Sequence, residues 1–94
     1  MNVHEIQNRL HLLGDWQLNS TKDGILRKFT FTDFHRTMDF VNAVAKIANK
    51  LNHHPEMEIG YKHCLVKYTT HETGRLSEKD FICASEINTL SNNF

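Results

Sequence analysis

Seven histidines among 94 residues are the feature of this sequence that bears most directly on chemistry. Imidazole titrates near neutrality without help from its surroundings, so one side chain can donate a proton, accept one or bind a metal. Three of the seven stand where elements are expected to end: His53 and His54, followed by Pro55, and His71. Tyr61 and Asp80 complete the constellation. Side chains at element ends can converge on one pocket. Each residue also has an ordinary reading. A histidine at a helix end caps it or meets its dipole. Asp80, three residues after Ser77, can complete a capping box. Tyr61 can be a core aromatic whose hydroxyl reaches the edge.

Other chemistries fit less well. Three histidines and a carboxylate would satisfy zinc, but adjacent residues such as His53 and His54 leave a helix about 100° apart, and no HExxH-type pair occurs. No metal site is expected. Neither Cys64 nor Cys83 has an evident histidine partner, and there is no nucleophile elbow. Phosphate-loop and dinucleotide fingerprints are also missing. Proton transfer by histidine remains.

The elements that must position these residues follow from periodicity. Val3, Ile6, Leu10 and Leu13 form a helical stripe over about 3–13, with Gly14 as its C-terminal cap. From Trp16 to Thr32 the period becomes two: Trp16, Leu18 and Ser20, then Ile25, Arg27, Phe29 and Phe31. Asp23-Gly24 between them predicts a hairpin with a tight turn. Thr32 or Asp33 can cap a long helix from Phe34 to Asn52, whose two apolar ridges mark the main core helix, and His53-His54-Pro55 ends it. Met57, Ile59 and Tyr61 share one strand face; Cys64, Val66, Tyr68 and Thr70 share another after a change of parity near Lys62-His63. Ser77-Glu78-Lys79-Asp80 opens a last helix carrying Phe81, Ala84, Ile87 and Leu90. The order α-β-β-α-β-β-α predicts an α+β fold, a four-stranded antiparallel sheet with three helices packed on one face.

Composition sets the outer bounds. With 39% apolar and 23% charged residues, one proline and four glycines, residues 1–94 read as a single compact domain. A chain of this size buries only about 60–65% of its unfolded surface, which makes a homodimer or homotetramer a natural supplement. Eleven basic residues balance eleven acidic ones, so no nucleic-acid partner is expected. No apolar run approaches the roughly 18 residues of a membrane span, and the polar opening Met1–Ile6 argues against a signal peptide. The expectation is a cytoplasmic or nuclear protein with reduced, packed cysteines.

The run His53-His54-Pro55, Tyr61, His71 and Asp80 resembles the signature of the pterin-4a-carbinolamine dehydratases, whose animal members also serve as dimerisation cofactors of a homeodomain transcription factor. Phe29-Thr30-Phe31-Thr32-Asp33-Phe34, Thr70-His71-Glu72 and Leu76–Asp80 resemble further blocks of the family, and together the matches span about 29–87. The resemblance implies the same α+β fold, oligomers of two or four subunits, and no bound cofactor, because the pterin is itself the substrate. It implies dehydration of 4a-hydroxytetrahydropterin to quinonoid dihydropterin, in recycling of the tetrahydropterin cofactor. In that reaction His53 and His71 would be acid and base, and His54 would lie against the pterin. Asn49, Asn52, Pro55, Glu56, Tyr61, Thr70, Glu72 and Asp80 are the residues it implies around the substrate.

The sequence departs from the family pattern at two positions. Four residues before His53 the family usually carries an acidic residue, and here it is Asn49; Asn52 also stands where an acid is frequent. Asparagine still forms hydrogen bonds but supplies no charge. Two alternatives therefore stay open. One is a non-catalytic pterin-binding or coactivator-type module that meets a regulatory protein through exposed residues of the long helix, such as His35, Arg36, Asp39, Asn42 and Lys46. The other acts on a related pterin, such as a molybdenum-associated one.

Overall fold

The apolar stripe Val3, Ile6, Leu10, Leu13 lies on α1, Val3–Leu13, in the computed structural model, which describes residues 1–94. Asn2 caps it by accepting from the Glu5 amide at 2.9 Å, and Gly14, at φ +70°, closes it by donating to the Leu10 carbonyl. The next strands are β1, Gln17–Leu18, and β2, Ile25–Thr30, which pair antiparallel.

Their connection differs from the tight Asp-Gly turn that the sequence predicts. Asn19 and Gly24 face each other across a longer loop, with the Asn19 amide donating to the Gly24 carbonyl at 2.9 Å. The Asn19 side-chain oxygen accepts from the amides of Asp23 and Gly24 at 3.0 and 3.1 Å. The positive φ falls on Lys22, at 61°. Gly24 is required for a different reason: a Cβ there would stand 3.0 Å from the Tyr68 carbonyl oxygen and 3.1 Å from the Asn19 amide nitrogen.

Helix α2, Phe34–Leu51, starts at Asp33, whose carboxylate accepts from the Arg36 amide at 2.8 Å. It buries Thr37, Phe40, Val41, Val44 and Ala48 on one face. It stops when Asn52 turns left-handed, at φ 52°, and donates its amide to the Ala48 carbonyl. Strands β3, Glu56–Ile59, and β4, His63–Tyr68, follow, and then α3, Glu78–Ser91. The observed order is α-β-β-α-β-β-α, as the sequence predicts.

The four strands form one antiparallel sheet in the order β1-β2-β4-β3. Ile25 pairs with Tyr68 and Phe29 with Cys64, so the buried side chains of β2 and β4 share a face. Against that face pack Phe40 and Val44 of α2 and Phe81, Ala84 and Ile87 of α3, all buried. Helix α1 has no buried residue of its own; it lies on α3 and brings Ile6, Leu10 and Leu13 to the core margin.

Asn88 of α3 ties three elements together. Its amide oxygen accepts from the Trp16 indole and from the Arg27 guanidinium, both at 2.7 Å, and its amide nitrogen donates to the Leu13 carbonyl at 3.0 Å. Arg27 also lies 4.3 Å from the centre of the Phe29 ring. No helix is long and apolar enough to cross a membrane.

Candidate active site

The left-handed Asn52 ends α2 in such a way that His53 turns inward and His54 outward. His53 is 7% exposed, whereas His54 is on the surface. Pro55 then starts the path into β3. On the other side of the site β4 runs out at Tyr68, and Thr70 bridges to Arg75 around the turn that holds His71 and Glu72. Gly74, at φ +66°, closes this turn by donating its amide to the Thr70 carbonyl at 2.9 Å. The helix end and the turn face each other across an open cavity of about 350 Å³ lined by Asn52, His53, His54, Pro55, His71 and Glu72. All three histidines singled out in the sequence thus meet on one cavity.

Behind His53 stands a buried polar network. His53 Nε2 lies 2.6 Å from Asp80 Oδ1. Asp80 Oδ2 accepts from the Thr70 hydroxyl and from the Ser77 amide, each at 2.9 Å. The hydroxyls of Thr70 and Ser77 are bonded to each other at 2.5 Å. Asp80 is fully buried, and no buried side-chain nitrogen or oxygen in the chain lacks a partner. A buried carboxylate without such partners would be strongly unfavourable. Here a complete set of donors fixes it and, through it, the imidazole.

Tyr68 completes the setting. Its ring stacks on His53 at 5.3 Å and 14°, and its hydroxyl donates to the His53 carbonyl at 3.3 Å. Burial holds the phenol far above its usual range, so it stays protonated. With Nε2 committed to Asp80, Nδ1 is the His53 nitrogen without a side-chain partner. His54 is held differently. Its Nε2 lies 3.0 Å from the Asn49 amide oxygen, five residues back on α2, which also leaves Nδ1 free. His71 has no side-chain partner in the chain. No group of three His, Cys, Asp or Glu side chains lies close enough to share a metal ion.

The implied residues around the substrate divide in the structure. His53, His54, His71, Asn52, Pro55 and Glu72 line the cavity, and Asn49 reaches it through His54. Asp80 and Thr70 do not line the cavity; their side chains are buried behind His53, joined to it through the Asp80 carboxylate. Glu56 points to the opposite side of the sheet, 3.9 Å from Lys67. Tyr61 is at the other end of the molecule. β3 stops at Ile59, so Tyr61 falls in the β3–β4 turn, 80% exposed and edge-on to Phe34. The Thr37 hydroxyl donates to its carbonyl at 2.9 Å and ties this turn to the start of α2. The helix, at about 1.5 Å per residue, separates its two ends by roughly 27 Å. Tyr68 is a site residue that sequence alone does not mark: alternation places it on the buried face of β4, but its stacking on His53 depends on how α2 ends.

A second cavity of similar size, about 340 Å³, lies between α1 and α3 and is lined by Leu12, Leu13, Phe81 and Ile82 with the ion pair Arg9–Glu78. It holds no histidine and no buried polar network.

The profile of the family described as Pterin 4 alpha carbinolamine dehydratase matches residues 1–90. A relative from Nitrosospira multiformis, whose name proposes a pterin-4-alpha-carbinolamine dehydratase, is 44% identical over 90 residues, covering 96% of this chain and 78% of the relative. One from Nitrosomonas eutropha, named in the same way, is 47% identical over 87 residues, 92% and 75% of the two chains. Among solved structures, a transcriptional coactivator/pterin dehydratase from Brucella melitensis superposes with a TM-score of 0.92 at 31% identity, over 97% of each chain. A pterin dehydratase-like protein described as a RuBisCO assembly factor of the alpha-carboxysome, at 16% identity and a TM-score of 0.71 over 83% and 90% of the two chains, shares the fold alone. The histidine cavity, the strand order and these similarities converge: this chain belongs to the pterin-4-alpha-carbinolamine dehydratase family.

Proposed function

We propose that this protein dehydrates 4a-hydroxytetrahydropterin to quinonoid dihydropterin by general acid–base catalysis, in recycling of a tetrahydropterin cofactor. The observation that carries the proposal is the meeting of His53, His54 and His71 on one open cavity, with His53 oriented by the buried Asp80 carboxylate at 2.6 Å. The relatives' names support the substrate class.

In the reaction the carbon–oxygen bond at the 4a carbon breaks. An imidazolium delivers a proton to the departing hydroxyl, which leaves as water. A neutral imidazole takes the proton from the neighbouring ring nitrogen, and that electron pair becomes the new carbon–nitrogen double bond. His53 and His71 take these two parts from opposite walls of the cavity, and His54 lies against the pterin. Each transfer contributes about 10²–10⁴-fold, and imidazole suits both because its two forms coexist near neutrality.

The test is the rate of quinonoid dihydropterin formation from freshly generated 4a-hydroxytetrahydropterin between pH 6 and 9. Wild-type protein accelerates it well above the spontaneous rate, and His71→Ala collapses the acceleration while leaving the fold intact by circular dichroism. A folded wild-type protein that gives no acceleration overturns the proposal.

The working unit in this reading is a homodimer or homotetramer. β3 has a free sheet edge, and Phe34, Ile59 and Tyr61 beside its turn are 47%, 46% and 80% exposed. Sedimentation equilibrium that returns only the 11.0 kDa monomer would refute it.

A further inference from the structure

The buried carboxylate holds the His53 ring at a single atom. Asp80 meets Nε2 at 2.6 Å, and in an imidazole that nitrogen lies at the far edge of the ring, close to the Cβ–Cγ axis about which the ring turns. Histidine has broad wells for this torsion, so a bond near the axis steers it weakly. Nδ1 stands further from the axis and travels more in any swing. A ring that is to transfer protons in one geometry needs a second constraint, on its face.

Tyr68 is placed to supply it. Its ring plane lies 14° from that of His53 with the centres 5.3 Å apart, and its hydroxyl donates to the His53 carbonyl at 3.3 Å. One side chain thus touches both the ring and the main chain of His53, directly after the left-handed Asn52. The two residues differ in support. His53 belongs to no helix or strand. Tyr68 is fully buried at the end of β4, an inner strand, where it pairs with Ile25 of β2, and the closeness of Gly24 to its carbonyl oxygen leaves no slack behind it. Tyr68 does not line the histidine cavity.

We infer that Tyr68 is a positioning residue of this site, its ring face setting the plane in which the His53 imidazole exchanges protons. The inference rests on the reading of His53 as an acid–base group. A misplacement of about 1 Å at a reacting group costs about 10²-fold in rate, so a freed ring is felt in kcat while substrate binding is spared.

The test combines kinetics with a measurement that needs no turnover. Tyr68→Phe keeps the ring face and drops the hydroxyl; Tyr68→Leu drops both, and Tyr68→Met takes its place if leucine does not fold. Carbon-13 relaxation of the His53 ring C–H bonds reports how far the ring swings. In wild type their order parameter matches ordered backbone, about 0.85, and in the aliphatic variant it falls toward about 0.6. The aliphatic variant loses about tenfold or more in kcat for the dehydration with KM within about twofold, and Tyr68→Phe recovers both ring order and rate. A mobile His53 ring in wild type, unchanged ring order or kcat in the aliphatic variant, or a Tyr68→Phe variant as impaired as that one overturns the assignment of Tyr68. A folded wild-type protein with an ordered His53 ring and no acceleration of the dehydration overturns the reading of the reaction instead, so the two failures are distinct.

Discussion

His53 and His54 are neighbours in the chain, yet the fold gives them unlike partners: a buried carboxylate at 2.6 Å for one, and an exposed amide oxygen at 3.0 Å for the other. Both partners select which nitrogen carries the proton, but only the carboxylate can balance an imidazolium charge. Asp80→Asn keeps the shape and removes that balance, and its amide can present the wrong atom to Nε2. We expect it to lower kcat by about 10²–10⁴-fold, the size of one general acid–base contribution, with denaturant titration run in parallel to separate lost orientation from lost stability. Asn49→Glu makes the opposite change. A carboxylate beside His54 adds a negative charge to the cavity that His53 and His71 share with it and favours their protonated forms, so the pH–rate profile moves to higher pH and the rate near neutrality rises; a profile identical to wild type shows that the amide already does all that this position requires.

At the scale of elements, apolar periodicity marks all three helices and the alternation of β2 and β4, because those patterns record burial against a single shared core. Two features escaped it. Tyr61 continues the period of Met57 and Ile59, but the strand ends at Ile59, and alternation alone does not say where pairing stops. Asp23-Gly24 carries the residues of a tight turn, yet Asn19 captures both amides with its side chain and the chain takes a longer loop. Asp80 was legible both as a helix cap and as a site residue; its two oxygens serve the two roles at once. Histidine convergence was legible at element ends, whereas the Asn88 junction of Leu13, Trp16 and Arg27 depends on separations of more than 60 residues. Asn88→Ala strands a part-buried indole N–H and a guanidinium. We expect it to cost about 2–3 kcal/mol in urea unfolding while leaving the turnover at 25 °C nearly unchanged, since Asn88 is at the far end of α3 from the site.

For the whole molecule, the two cysteines report on opening. Burial pushes the Cys64 thiol up to about 11 and raises that of Cys83, and both side chains are essentially inaccessible. A thiol reagent at pH 8 should therefore label neither until the protein unfolds, and labelling should track the denaturation curve. Acid acts on other groups. Hydrogen bonds from Thr21 and then Asn19 lower the Asp23 carboxyl below its usual range, and the Arg9 fork lowers that of Glu78. A depressed carboxylate stabilises the folded state above its ordinary value and loses that contribution as the pH falls through its folded value. Stability should be level above about pH 5 and decline below about pH 4, with a shallower decline in Arg9→Ala; both groups are solvent-exposed, so salt should flatten the difference. Asp80 brings a last consequence. The carboxylate that holds His53 also closes the first turn of α3, so fraying of that turn and disengagement of the imidazole are one event. On warming, turnover should fade at temperatures where the sheet is still intact and return in full on cooling, and deuterium uptake at the Ser77 amide should rise in step with the fading. Thermal inactivation of this protein would then be the fluctuation of one helical turn rather than the melting of its core.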